Sequence, residues 1–442
     1  MQLNEPQKKA VFHKEGPMLV LAGPGSGKTR VITERVKELI RSGVKPERIL
    51  VITFTKAAAN EMKERYVSDT IAAGKNPGKV RYGTFHSVFF SILKVHYNYA
   101  ASNILREEEQ YMILKNIILN MDLEEIRDEN EFIKDVTAEI GLVKGSMMNI
   151  DNYYSMSCPE QNFKKIFNSY NDTLLKRRKI DFDDMLVYTY ELLRDRKDIR
   201  ALWQKQYEYI LVDEFQDVNY MQYETTRLLT GKKNNLFVVG DDDQSIYGFR
   251  GANPKIMDKF LKDYPKAEKV LLDTNYRSSL KIVGAAGKVI GNNEIRMSKD
   301  IRAFNDDILN PVEIREFKDV ISQNNGIIDA IHDALKEGLT YKDISVLFRT
   351  NVQGRSLVGA LTYANIPFIM KDTVPNLYDH WIVQDVLSYI KIALGNNERA
   401  NYIRIINRPS RYISRSVFTS PYVDINELYE YYEDKHWMVE RL

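Results

Sequence analysis

The chain has 442 residues, 44% hydrophobic and 28% charged, which fits a globular protein with buried cores and about three domains of roughly 150 residues each. Its 63 basic and 61 acidic side chains leave a net charge of +2, so overall charge excludes no partner, because a nucleic-acid surface needs only local positive potential. A single cysteine, Cys158, excludes a disulfide framework and a Cys-based zinc site and suits a reducing cytosol. The opening MQLNEPQKKA lacks the apolar core of a signal peptide, and no segment approaches the roughly eighteen apolar residues of a membrane span. The expectation is a cytoplasmic protein with no membrane partner.

Short apolar runs bounded by turn residues recur along the chain: MLVLA (18–22), ILVIT (49–53), YILVD (209–213), LFVVG (236–240) and KVLLD (269–273). Such runs read as strands covered on both faces, as in a parallel sheet. Between the first two, Val31, Ile32, Val36, Leu39 and Ile40 recur at helical spacing, and Gly43 is placed to stop that helix. Alternation of this kind predicts a doubly wound α/β domain. The pattern breaks over 88–183, where REEEQYMILKNIIL and MDLEEIRDENEFIKDV are helical and charged with no buried strand, so a helical insertion is expected there. A second α/β signal follows at 311–371, in PVEIREF, ISVLF and IPFIM separated by helical text, and from about 376 the chain reads as helical again.

Three segments carry chemistry. AGPGSGKT (22–29) lies between a predicted strand and a predicted helix, with Ala22 where the strict P-loop pattern has glycine. Its glycines let backbone N–H groups approach phosphates, Lys28 reaches the β and γ oxygens, and the Thr29 hydroxyl can hold Mg²⁺. ILVDEFQD (210–217) ends a buried strand in two acids, Asp213 suited to Mg²⁺ and Glu214 to orienting or deprotonating the attacking water. In VVGDDDQSIYGFRGA (238–252), Gln244 is placed to sense a γ-phosphate or its water. Tyr247, Phe249 and Arg250 offer flat faces and a cation for unpaired bases, the alternative being that the two aromatics are core.

In this order the segments resemble the UvrD/PcrA/Rep superfamily-one helicases, motors that walk along single-stranded DNA. LNEPQKKAV is similar to the family's Q motif, which implies that Gln7 reads adenine. TFTKAAANEM (53–62) resembles TFTNKAAxEM and implies Phe54 at the DNA, with Lys56-Ala57 in place of the usual Asn-Lys. GTFHS (83–87) and IDFDDML (180–186) are also similar, which makes His86 a DNA or coupling residue. LDTNYRSS (272–279) implies Tyr276 stacking on adenine and Arg277 on the γ-phosphate. Gly248-Phe249-Arg250 stand where Arg-Trp-Arg is commoner. The resemblance continues through ISVLFRTNVQGRSLVGALTYANIPF (344–368) and into the helical text after 376.

The resemblance implies a P-loop, RecA-like parallel-sheet domain over 1–87 and 184–277 (1A), interrupted by a helical insertion over 88–183 (1B). It implies the first part of a second RecA-like domain over 278–375 (2A) and the start of a second helical insertion over 376–442 (2B). The implied catalytic set is Lys28, Glu214, Gln244 and Arg277. The implied ATP set is Gln7, Ala22, Gly23, Pro24, Gly25, Ser26, Gly27, Lys28, Thr29, Arg30 and Tyr276. Thr29 and Asp213 take Mg²⁺, while Phe54, His86, Tyr247, Phe249 and Arg250 take DNA. The implied activity is ATP-dependent 3′-to-5′ movement on single-stranded DNA and at single-strand/double-strand junctions. Segments like TxHxxKGLE and VxxTRA do not occur before Leu442, so this chain is expected to be an incomplete motor, completed by a protein partner or acting as a non-translocating ATP-dependent clamp. A motor part of a helicase–nuclease assembly is a third reading. KRRK (176–179) reads as a solvated helix end, with phosphate contact as its alternative.

Overall fold

The computed structural model describes residues 2–121, 129–248, 251–253, 255–294, 296–305, 311–371, 376–409, 411–414, 417–435 and 437. The chain divides into two compact units, Met1–Val312 and Glu313–Leu442.

The first unit is built on six parallel strands: β1 Met18–Ala22, β2 Ile49–Thr53, β3 Arg81–Thr84, β4 Tyr209–Val212, β5 Leu236–Gly240 and β6 Glu268–Leu272. Their order across the sheet is β3-β2-β4-β5-β1-β6. The five apolar runs predicted as strands all form, within a residue at their ends. Alternate residues face opposite sides, and both sides are covered. Leu19, Leu21, Leu50, Ile52, Ile210, Val212 and Val238 join one core, while Met18, Val20, Val51, Leu211, Phe237 and Val239 join the other. Strand β3, RYGT, lies at the edge and carries no strand signal in the sequence: four residues with a charged Arg81 and a glycine have too little apolar pattern.

The helix Lys28–Arg41 buries Val31, Ile32, Val36 and Leu39 against the sheet. Its end turns back through Gly43, at φ 96°, whose N–H donates to Ile40 while that of Val44 donates to Leu39. Another helix, Phe85–Tyr97, packs into the sheet's core through Phe85, Val88, Phe89, Ile92 and Leu93. Beyond it the helices Glu107–Leu119, Glu129–Ser146 and Glu160–Lys176 make a core of their own around Leu114, Val136, Phe163 and Tyr170, with no strand among the described residues. The KRRK segment includes Lys179, whose ammonium is bonded to Glu109 within this bundle.

A buried ionic truss ties the bundle to the helix Phe182–Asp195, which packs into the sheet's core through Met185, Leu186 and Leu193. Lys144 donates to Asp181 Oδ2 at 2.8 Å and to Asp184 Oδ1 at 2.7 Å, and all three side chains are buried. Tyr170 donates to the same Asp181 oxygen at 3.0 Å. Burial works against the Lys144 charge, but the two carboxylates outweigh it and hold the ammonium above its ordinary range. Asp183 has no such bond. Burial and then the charge of Asp181 push it up to about 7.

After β6, a two-stranded parallel pair, β7 Thr274–Ser279 and β8 Arg302–Asn305, is bridged by the helix Leu280–Ile290. In the second unit, the helices Val320–Lys336 and Gly354–Tyr363 enclose Ile331, Leu357, Leu361 and Ile366. The helices Arg399–Ile405 and Ile425–Tyr431 contribute to a second cluster around Tyr402, Phe418 and Leu428. The extended segments expected at PVEIREF, ISVLF and IPFIM do not pair. Among the described residues this unit has one isolated bridge, Glu398 to Tyr422, and no strand ladder. Ile314, Leu347 and Ile369 stand 96%, 91% and 95% exposed. Apolar alternation makes a segment fit for a sheet, but a strand forms only where a neighbour offers its hydrogen bonds. Among the described residues no helix is long and apolar enough to cross a membrane.

Two outcomes test the truss. Lys144→Met leaves two carboxylates buried without their cation and should cost about 3–5 kcal/mol in denaturant unfolding. Asp183 has a folded pKa raised from 3.8 to about 7, so the folded state holds the extra proton between those values and stability falls as pH rises through that window. Asp183→Asn should therefore raise the melting temperature at pH 8, by roughly 2 °C or more, with the gain closing toward pH 4.

Candidate functional site

Adjacent strands β4, β5 and β1 end side by side, so the loops that leave them meet. Open parallel sheets place ligands at these carboxyl ends. From β1 the loop runs through Gly25 and Gly27, at φ 65° and 85°, into the helix that starts at Lys28. Gly27 is the N-cap and supplies no side chain, so the first N–H groups of the helix have no side-chain cap. A Cβ on Gly25 would lie 2.6 Å from Asn275 Oδ1 and 2.8 Å from Arg277 Cβ, so glycine is required on both grounds. Ser26 turns inward, its hydroxyl donating to Gly23 O at 2.7 Å. The helix continues through Thr29 and Arg30, and Thr29 lines the adjoining cleft with Asp213, Glu214 and Gln244.

Lys28 Nζ donates to Glu214 Oε2 at 3.2 Å and to Gln244 Oε1 at 3.4 Å, which joins all three sequence motifs at one ammonium. Glu214 sits in the left-handed region at φ 48°, a costly conformation for a side chain of this kind. Gln216 holds its carboxylate, Nε2 donating to Glu214 Oε2 at 2.9 Å, while Gln216 Oε1 accepts from the Asp241 N–H at 3.0 Å. That approach needs Gly240, where a Cβ would fall 2.7 Å from Gln216 Oε1. Asp213 Oδ1 is buried and has no hydrogen-bond partner among the described residues. Burial, then the charge of Glu214, pushes Asp213 up to about 7 against the pull of Lys28. An unpartnered carboxylate oxygen beside a threonine is a donor set that suits a small hard cation.

Opposite the loop, Gln7 is buried and held at both polar atoms of its amide. Its Oε1 accepts from the Asn4 N–H and its Nε2 donates to Ser26 O at 3.0 Å. Arg35 pins the end of its helix, Glu5–Val11, by donating to His13 O at 2.5 Å. Asn4 Nδ2 donates to the Tyr276 hydroxyl at 2.9 Å, and the Tyr276 N–H donates to Gly25 O at 3.0 Å. Strand β7 thereby sets Tyr276 and Arg277 beside the glycine loop. On the other side of the cleft, Phe54 and Tyr247 stack on one another with centroids 4.9 Å apart. His86 is half-buried, edge-on to Phe182 at 5.5 Å, and burial lowers its pKa. Phe249 and Arg250 lie outside the described residues.

Residues 3–265 match the UvrD/REP helicase N-terminal domain, and residues 270–429 match the UvrD-like helicase C-terminal domain. The chain belongs to the UvrD/REP helicase family. It is similar to YjcD of Bacillus subtilis (strain 168), 38% identical over 399 residues that cover 88% of this chain and 51% of that protein. The ATP-dependent DNA helicase PcrA of Leuconostoc citreum is 33% identical over 432 residues, covering 94% of this chain and 56% of its own. PcrA of Staphylococcus aureus (strain Mu50) is 33% identical over 426 residues, covering 94% and 57%. The chain spans about half the length of the curated relatives it matches.

Several residues of this UvrD-type site escape a reading of the sequence. Asn4 and Gln216 reach partners far along the chain, Tyr276 and Asp241, while Asn275 and Asp217 act within their own turns. Asn275 Oδ1 accepts from the N–H groups of Arg277 and Ser278, both at 2.8 Å, and so shapes the turn under the glycine loop. Burial, then Glu214, raises Asp217 to about 6, and its Oδ1 too has no partner among the described residues. Only the run of acids in DEFQD signalled it. Gly25→Ala should abolish nucleotide binding at millimolar ATP in calorimetry while leaving the fold intact by circular dichroism, because the atoms its Cβ meets first belong to Asn275 and Arg277 beside the loop.

Proposed function

We propose that this chain carries the ATP-hydrolysing core of a UvrD-type DNA motor, coupling hydrolysis to 3′-to-5′ movement on single-stranded DNA and at its junctions with duplex. The observation that carries the reading is the Lys28 ammonium between Glu214 and Gln244 at the mouth of a glycine loop. Lys28 exchanges these contacts for the phosphate oxygens, with the N–H groups at the start of its helix. Thr29 and Asp213 hold Mg²⁺, which neutralises phosphate charge when bound. Glu214, released from Lys28, accepts a proton from a water whose oxygen attacks the γ-phosphorus. The bond from that phosphorus to the β–γ bridging oxygen breaks, and ADP and phosphate are the products. Gln244 orients that water, Arg277 stabilises the γ-phosphate and Tyr276 stacks on adenine beside Gln7.

Phe54 and Tyr247 part to take bases between flat faces, with His86, Phe249 and Arg250 along the same strand. In this reading 1–87 and 184–277 form domain 1A, 88–183 the 1B insertion, 278–375 domain 2A and 376–442 the start of 2B. The protein works in the cytoplasm. A protein partner that supplies a second arginine finger would add roughly 10³–10⁵ in rate.

ATP turnover by the purified chain, with and without single-stranded DNA, tests the reading. Stimulation by DNA that is lost in both Lys28→Ala and Glu214→Gln supports it, and nucleotide binding without turnover would leave a clamp. The DNA affinity should fall steeply and log-linearly with salt if phosphates are contacted, and a flat salt response would count against the DNA surface.

A further inference from the structure

Lys299 belongs to none of the motifs, yet it is embedded in one. Its side chain is 1% exposed, and its ammonium donates to Asp241 Oδ1 and Asp242 Oδ1, both at 2.5 Å, and lies 2.9 Å from Asp243 Oδ2. The same short segment adds two more ties. Arg296 makes a two-pronged contact with Asp243, at 3.1 and 2.7 Å, and the Met297 N–H donates to Asp242 Oδ2 at 2.6 Å. Three N–H donors on a compact ammonium meet three carboxylates, a task for lysine rather than for a planar guanidinium.

The network does not stop at the aspartates. The second oxygen of Asp241, Oδ2, accepts from Gln244 Nε2 at 2.6 Å. With its amide nitrogen so held, Gln244 turns Oε1 toward Lys28 Nζ at 3.4 Å, and Lys28 continues to Glu214. On its other side the Lys299 segment runs through Ile301, whose Cδ1 would lie 2.4 Å from a Cβ on Gly23, into β8, the partner of the strand bearing Tyr276 and Arg277. Lys299 thus stands between the loop that carries Gln244 and the strand pair beside the glycine loop.

We infer that Lys299 is a positioning residue for recognition of the γ-phosphate, orienting Gln244 through Asp241. The inference rests on the proposed nucleotide site. Without Lys299, Asp241, Asp242 and Asp243 repel one another and an incoming triphosphate, Asp241 loses its fixed orientation, and Gln244 loses the acceptor that turns its carbonyl oxygen toward the phosphate end. Burial opposes the charge on Lys299, but the aspartates raise its pKa above the ordinary value, so the ammonium persists at neutral pH.

Calorimetry with ADP·Mg²⁺ and with the non-hydrolysable analogue AMP-PNP·Mg²⁺ tests this on the full chain. The unaltered chain should prefer the triphosphate analogue. Lys299→Met should lower affinity for the analogue about tenfold and leave that for ADP within twofold. Gln244→Ala should do the same, and the double variant should lose no more than either alone. Equal losses for both nucleotides, a retained preference, or additive losses in the double variant would overturn the inference. So would an unaltered chain that binds both nucleotides equally. An unaltered chain that binds neither overturns the nucleotide site itself, and the inference with it. Where Lys299→Met does not fold, Lys299→Arg keeps the charge in a planar fork. Loss of the preference with ADP binding retained supports the role, and an unchanged preference refutes it.

Discussion

The first unit concentrates negative charge at the carboxyl ends of its two central strands, and much of its architecture follows from tolerating it. Asp213, Glu214 and Asp217 follow β4, and Asp241, Asp242 and Asp243 follow β5, the next strand in the sheet. Against them stand Lys28 from the loop after β1 and Lys299 from just before β8. The compensation is uneven. The β5 aspartates are saturated by Lys299 and Arg296, whereas Asp213 and Asp217 each keep an unpartnered buried oxygen. A buried carboxylate oxygen without a partner is expensive in a finished fold, a cost that a bound cation would offset.

Sheet order makes the arrangement possible. Because β5 sits between β4 and β1, segments separated by about 190 residues in the chain end within reach of one ammonium, the Lys28–Glu214 bond spanning 186 positions. The helical bundle within that interval has its own core, which leaves the sheet's register undisturbed and is anchored by Lys144 on Asp181 and Asp184. The left-handed glycines at 25 and 27 and the strained Glu214 lie at the strand exits, where backbone must turn sharply enough to present N–H groups and a carboxylate to the same space.

Sequence legibility followed apolar pattern and broke down where pairing or distance decided. MLVLA, ILVIT and LFVVG became strands over the same residues, since runs covered on both faces admit few other structures. RYGT became a strand without such a pattern because β2 offered its edge. PVEIREF, ISVLF and IPFIM had the pattern and remained unpaired among the described residues, because no neighbouring ladder meets them. The same contrast holds in the site. Lys28, Glu214 and Gln244 were legible because their motifs are local, but Lys299 lies 58 residues beyond Asp241, one lysine among many.

By itself the sequence determined the glycine loop between strand and helix, the acids at the strand exits, the helical interruption and the family resemblance, because each is written in contiguous residues. Tertiary structure alone decided that Gln7 is held by Asn4 and Ser26, that Phe54 rests on Tyr247, and that Lys299 meets three aspartates. Those outcomes depend on which strand ends become neighbours and which charges are closed off from water. Burial and distance are properties of the assembled sheet, and no local stretch of chain encodes them.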